Sequence, residues 1–273
     1  MEQEGRYIIP SLDRAIKVLG VLAHEPQGTT LADLARSSGI PKSTLFRILV
    51  TLQKHHCVVL SPDGRTFRLG SHLWELGSRF ADQSDLFRVS EPYMTALADE
   101  CGETVFLSKL EDGEVVYLRR IESPKSIAAV KKLQSRAPVH CTATGRALIA
   151  WLPALEIDAI LDQRGVEPYN AATVTSRVEL KALLSEVRDN EYAVVNGEFN
   201  DELLCVAAPV LDHQRRPSAA LTVAMLSAQV SDRAAIDAVC VAVQRAARSL
   251  SRELGGGDPL RPASAPALTA GGA

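Results

Sequence analysis

The sequence predicts an α+β chain in two parts: a small three-helix core that ends in a β-hairpin, followed by an antiparallel sheet covered by helices. Three observations predict it. The stretch Thr30 to Lys54, TLADLARSSGIPKSTLFRILVTLQK, sets apolar residues at helical spacing on either side of a glycine turn. Immediately after it, Asp63-Gly64 separates two short β-rich runs, a strong hairpin signal. Beyond residue 100, runs rich in Val, Phe and Tyr alternate with helical stripes, and a second hairpin turns at Asp112-Gly113.

Taken in order, Ser11 to His24 carries Leu12, Ala15, Ile16, Leu19 and Leu22 on one stripe, a helix whose apolar face requires a partner. The next helix buries Leu31, Leu34 and Ala35. Thr30 is suited to cap its start with Asp33 in the reciprocal position, and Gly39 to end it, because glycine adopts φ > 0 at little cost. Pro41 suits the first turn of the following helix, where no N–H is needed, and Leu45, Ile48, Leu49 and Leu52 recur at i, i+3, i+4 and i+7. CVVLS, PDGR and TFRLG then form a wing. Residues 8–70 are thereby expected to be a winged helix-turn-helix.

The exposed face of the second helix carries the chemistry. With the apolar stripe buried, Lys42, Ser43, Arg47, Thr51 and Lys54 point outward, and Thr44 sits beside them near the N-terminal end. Arg47 can fork onto guanine O6 and N7, Ser43 and Thr44 can meet base edges or phosphates, and Lys42 and Lys54 suit phosphates. Arg65 at the wing tip and Arg68 on its return strand can reach the backbone or the minor groove. Amphipathic helices with solvated Lys and Arg are common, but here the wing adds to a local charge excess: from Arg36 to Gly70 six Lys or Arg face one acid, Asp63. Double-stranded DNA is the expected partner.

Whole-chain values hide this asymmetry. The 273 residues are 46% hydrophobic with a net charge of −3, which suggests two domains with sizeable cores. Residues 1 to 80 hold ten Lys or Arg against seven Asp or Glu, and the rest hold 20 against 26, so only the first part offers a basic surface. No apolar run of about 18 residues and no charged-then-apolar leader is present, so no membrane partner is expected and the cytoplasm is the expected compartment. The five cysteines lack C-x-x-C or zinc-site spacing, and there is no P-loop or G-x-G-x-x-G; free thiols and no metal or cofactor are expected.

Residues 71–84 read as a linker helix. Its Leu73, Trp74, Leu76, Gly77 and Phe80 present more apolar surface than so short a helix buries alone, which suggests a dimer contact. Within residues 85–254 a helix from about Asp85 to Cys101 is expected to be perturbed or begun by Pro92. The hairpin Thr104–Leu110 and Val115–Ile121, a strand-like segment at Ile127–Leu133 and a helix Arg146–Leu152 follow. A helix capped by Ser176, with Glu179 at the capping-box position, comes next, then strands Cys205–Leu211 and Ala219–Met225. A last helix runs from Ser231 to about Leu254. Residues 255–273, GGGDPLRPASAPALTAGGA, read as a disordered tail.

These motifs, in this order, resemble the IclR family of bacterial transcriptional regulators: SLDRAIKVLGVL, IPKSTLFRILVTL, GETVFLSKL, PVHCTATGRALIA and EYAVVNGEF followed by CVAAPVLD. The resemblance spans roughly residues 8 to 254. It implies a GAF-like C-terminal effector domain, a homodimer or homotetramer, and operator binding set by a small metabolite, with repression of a catabolic operon as the expected role. Family pocket positions fall on Ala129, Ala143, Thr144, Val195, Leu203 and Cys205.

Chemistry adds to that assignment. Residues 140–145 enter a helix N-terminus, where N–H groups and the helix dipole favour an anion, and Thr142 and Thr144 add hydroxyls, so a small organic acid fits. The alternative is that both threonines only cap their helix while Cys205 is core. Many family members place an acid where this chain has Val195, and Glu202-Leu203-Leu204-Cys205 stands where Gly-Val-Arg-Cys is frequent. The pocket is expected to be more apolar, favouring an aromatic or aliphatic acid over a hydroxylated sugar acid. Two other readings compete. His140-Cys141 invites a nucleophile, yet adjacent strand residues face opposite ways and no orienting group is assignable, so no enzyme is expected. A vestigial sensor acting only through oligomerisation is the second.

Overall fold

A computed structural model describes residues 7–82, 85–123 and 135–255. Contacts divide the chain between Ser84 and Asp85 into two compact units. The strand-like segment expected at 127–133, with Ala129, lies outside the described residues, as do residues 256–273 of the tail.

The first unit comprises α1 (Pro10–Ala23), β1 (Thr29–Thr30), α2 (Leu31–Ser38), α3 (Lys42–Lys54), β2 (Val58–Leu60), β3 (Thr66–Leu69) and α4 (Ser71–Asp82). Thr30 caps α2 by accepting the Asp33 N–H at 3.2 Å and donating to the Asp33 carboxylate at 2.7 Å. Gly39 closes α2 with φ 69°. Leu22, Leu34, Leu45, Leu49, Val58 and Phe67 form the core. The wing pairs Val58 with Leu69 and Leu60 with Phe67, and β1 adds to its other edge in the order β1-β3-β2.

Two local expectations are corrected. Leu12 and Ile16 are not in the core: they are 56% and 62% exposed, and α1 packs inward through Ala15, Val18, Leu19 and Leu22. The apolar stripe of α1 is wider than the strip that two short helices can cover. Pro41 is the residue before α3 and not part of its first turn; its extended backbone lets its carbonyl accept the Leu45 N–H at 2.9 Å, so its missing N–H still costs nothing.

The second unit comprises α5 (Asp85–Cys101), β4 (Thr104–Glu111), β5 (Glu114–Ile121), β6 (Arg136–Pro138), α6 (Ala143–Ile149) and α7 (Ala154–Arg164). There follow α8 (Arg177–Asn190), β7 (Ala193–Asn196), β8 (Leu203–Leu211), β9 (Pro217–Leu226), a single 3-10 turn and α9 (Arg233–Glu253). The strands form one antiparallel sheet in the order β6-β5-β4-β9-β8-β7. Asp112 and Gly113 both take positive φ, 54° and 75°, as a tight right-twisting hairpin requires.

Alternation along the strands assigns each face. One buries Val105, Leu107, Val206, Leu221 and Val223 under α5 and α9; the other buries Val115, Ala207 and Ala220 under α6, α7 and α8. Pro92 neither begins nor interrupts α5, because Met94 and Leu97 on the following turn are buried and hold the helix to the sheet. The last helix is capped by Asp232, which accepts the Ala235 N–H at 2.9 Å. Among the described residues no helix is long and apolar enough to cross a membrane.

Candidate DNA interface and effector cavity

α3 exposes Lys42, Ser43, Arg47, Thr51 and Lys54 and leaves Thr44 half-buried. Among the described residues, Lys42, Arg47, Lys54 and Arg65 make no ion pair or side-chain hydrogen bond, so this face carries unneutralised positive charge. Arg36, by contrast, pairs with Asp33 at 2.7 Å. Two expected contacts are partly committed elsewhere. The Arg68 Nε donates to the Gln27 carbonyl at 3.0 Å, which fastens β3 to the loop after α1. The Thr51 hydroxyl donates to the Arg47 carbonyl at 2.9 Å and so has no proton left for a phosphate.

The second unit encloses a cavity between the sheet and α6. Its walls are Phe106, Tyr117 and Thr222 from the sheet interior, Val195, Leu203 and Cys205 from β7 and β8, Cys141 to Thr144 at the start of α6, and Gly197 to Asn200. The space between atoms, including the part open to solvent at its mouth, is about 430 Å³, a slot sized for a small ligand. Of the sequence-predicted pocket residues, Thr142, Ala143, Thr144, Val195, Leu203 and Cys205 all border it. Ala129 lies outside the described residues.

The two threonines differ in what they offer. Thr142 is the helix cap: its hydroxyl accepts the Gly145 N–H at 3.1 Å and donates to the Pro138 carbonyl at 2.7 Å, so its proton is already placed. Thr144 meets the Thr222 hydroxyl at 2.8 Å and the Tyr117 phenol borders it, giving three hydroxyls at one end of the slot. The first-turn N–H groups of Ala143 and Thr144 have no intrahelical acceptor. Gly145 allows the close approach: a Cβ there would stand 2.3 Å from the Val139 Cα.

A buried ion pair fixes the remaining wall. Arg146, one turn into α6, donates from Nε to the His140 carbonyl at 2.9 Å and from Nη2 to the Glu198 carboxylate at 2.5 Å. The same Glu198 oxygen accepts the Val174 N–H at 3.2 Å, and the Thr173 hydroxyl donates to the Glu198 carbonyl at 2.7 Å. Asn170 Nδ2 donates to the Gly197 carbonyl at 2.6 Å, and Phe199 stacks edge-on against Tyr169 with centroids 4.8 Å apart. Residues 197–200 are thus clamped at both ends to the 169–174 loop and to α6.

Burial settles the titrating groups around the slot. It pushes the Cys141 and Cys205 thiols up to about 12, with Glu198 adding to the effect at Cys141, and raises Tyr117 above its ordinary range. It lowers the pKa of His140, whose Nε2 lies 3.0 Å from the Glu167 carbonyl. A protonated thiol beside a neutral imidazole tied to a backbone oxygen is no activated nucleophile. What the slot can do is bind: apolar walls with hydroxyl and amide groups at one end. Phe106, Tyr117, Thr222, Glu198, Phe199 and Asn200 were not expected from the sequence. Phe106, Tyr117, the 198–200 run and Thr222 lie far apart in the chain, and only period-two alternation in β4 and β9 could have put Phe106 and Thr222 on the inner face.

Known proteins resemble both units. The family described as bacterial transcriptional regulator IclR C-terminal matches residues 78–252, and the IclR helix-turn-helix domain matches residues 11–60. The HTH-type transcriptional regulator XynR of Escherichia coli (strain K12) is 34% identical over 248 residues, covering 91% of this chain and 98% of the relative. The transcriptional repressor IclR of the same organism is 28% identical over 226 residues, covering 82% of each. The crystal structure of an IclR homologue from Microbacterium hydrocarbonoxydans complexed with 4-hydroxybenzoate has the same fold, with a TM-score of 0.75 at 23% identity over 89% of this chain and 98% of the other. These matches are to regulators of transcription and not to enzymes; the chain belongs to the IclR family of bacterial DNA-binding transcriptional regulators.

Proposed function

We propose that this regulator is a cytoplasmic repressor of a catabolic operon, released or retuned by a small organic acid that enters the slot beside α6. α3 lies in the major groove, with Arg47, Ser43 and Thr44 at base edges, Lys42 and Lys54 on phosphates and Arg65 reaching from the wing. The observation that carries the effector reading is the slot itself: apolar walls of Phe106, Val195, Phe199 and Leu203 closing on a polar end of Tyr117, Thr144 and Thr222. An apolar body with a carboxylate head matches that division, the head taking the Ala143 and Thr144 N–H groups. A sugar acid would bring hydroxyls to walls that cannot pair them. Repression is the role named for the E. coli IclR relative.

The assembly proposed is a homodimer or homotetramer. Trp74 is 74% exposed on α4 and Leu76 51%, an apolar surface costly to leave in water, and two winged helices read a repeated site better than one. Sedimentation at micromolar concentration is expected to give at least a dimer; a monomer that binds DNA fully would refute it. The effector reading is tested by thermal shift of the full chain with 4-hydroxybenzoate, benzoate, hexanoate and gluconate. A rise with the aromatic or aliphatic acids supports it. A rise with gluconate alone overturns the apolar-body assignment, and no response to any acid favours a sensor that acts only through oligomerisation.

A further inference from the structure

We propose that Phe46 and Val50 read thymine methyl groups in the major groove, so that operator choice rests on apolar as well as polar contacts. The proposal deepens the reading of α3 as the base-reading helix and depends on it. Opposite the buried Leu45, Ile48 and Leu49, the outward stripe of α3 is Ser43, Phe46, Arg47, Val50 and Lys54, at i, i+3, i+4, i+7 and i+11. Phe46 is 55% exposed and Val50 48%. The core does not need them: it already buries three side chains of the same helix.

An aromatic ring and a β-branched side chain left in water between Lys42, Arg47 and Lys54 form an apolar strip with cationic borders. Such a strip complements a surface that is anionic at its rims and presents isolated apolar groups at its floor. The major groove of DNA is that surface, and its apolar group is the thymine C5-methyl. A protein partner would instead have to bring acids to three cations around a small apolar centre. Position agrees. Phe46 lies in the N-terminal half of α3, the part of a recognition helix that meets base edges. Val50 follows four residues later, about 6 Å along the axis, which is less than two base steps of about 3.4 Å.

The test uses the full-length protein and a duplex selected by it from a randomised library. Each thymine of the selected duplex is replaced in turn by deoxyuridine, which removes only the methyl, and affinity is read by fluorescence anisotropy at constant salt. One or two replacements are expected to weaken binding about three- to fivefold, the effect of losing one buried methyl-sized group. Phe46→Ala and Val50→Ala should weaken binding to the thymine duplex and become indifferent to uracil at the matching position. If every uracil duplex binds the parent protein unchanged, the proposal is overturned, and that result needs no variant to fold. Arg47→Ala separates the two readings. Weaker binding with Arg47→Ala but silent uracils leaves α3 on the bases without methyl readout, whereas a silent Arg47→Ala removes α3 from the groove altogether. A changed sedimentation coefficient for Phe46→Ala and Val50→Ala with silent uracils makes the strip a protein contact, which also overturns it.

Discussion

The outward face of α3 and the slot beside α6 are the two candidate binding surfaces of this chain, and they are built in opposite ways. The first comes from one run of thirteen residues, faces solvent and keeps its cations unpaired. The second gathers residues from Phe106 to Thr222, is buried, and is backed by a buried cation, Arg146, that Glu198 neutralises. An exposed surface can keep unpaired charges because water solvates them at little cost, while a buried one must pair each charge before it can hold a ligand. The first therefore depends little on the rest of its unit, and the second depends on everything around it.

That contrast breaks most visibly at the ion pair. Arg146→Ala leaves the Glu198 carboxylate buried without its partner and is expected to destabilise the second unit by about 3 to 5 kcal/mol. Chemical denaturation in a Trp74→Phe background, where Trp151 alone reports, measures it. A loss below about 1 kcal/mol would mean that Glu198 finds water and the clamp is dispensable.

Next in size is Arg47→Ala, expected to weaken binding to a selected duplex by about 1 to 3 kcal/mol and relax one base position, with no change in melting temperature. Lys54→Ala should weaken all sequences alike and flatten the salt dependence. If Arg47→Ala lowered stability as much as Arg146→Ala, the two surfaces would not differ as argued.

Inside the slot, Thr144→Val keeps the shape and removes one hydroxyl from the Thr144–Thr222 pair. It should weaken an effector acid by about 1 kcal/mol in calorimetric titration while DNA binding without effector is retained. An unchanged affinity would place the ligand elsewhere. The smallest effect concerns pH. An unfolded Cys205 ionises near its ordinary 9.0 and the folded one near about 12, so between these values the unfolded chain has lost a proton that the folded chain keeps, and stability falls as pH rises. Near pH 9.5 this amounts to about 0.8 kcal/mol, and Cys205→Ala should lose that part of the alkaline decline in melting temperature.

The two surfaces were also legible to different degrees. Thr30, Gly39 and the Leu45–Leu52 stripe announce the helix-turn-helix, because caps and helical periodicity are local properties of the chain. The same reading placed Leu12 and Ile16 inward and passed over Phe46 and Val50, since periodicity tells which residues can share a face but not how wide a face the neighbours will cover. α7 gave no marked stripe and leaves Leu155 84% exposed, and β7 is a four-residue edge strand, so neither carried a readable pattern.

By itself the sequence determined a winged helix ahead of an antiparallel sheet, an excess of cations on one short helix, and the caps at Thr30 and Ser176. Each follows from side chains within a few residues of one another, where backbone geometry dictates who meets whom. Only the tertiary structure decided that Thr222 would face Thr144 across 78 positions, that Glu198 would neutralise Arg146, and that Phe106 and Tyr117 would wall the slot. Those meetings depend on strand order and register, and with them on which non-local pairings bury the most apolar surface while leaving no charge alone, a condition satisfied by the whole sheet and written in no single segment.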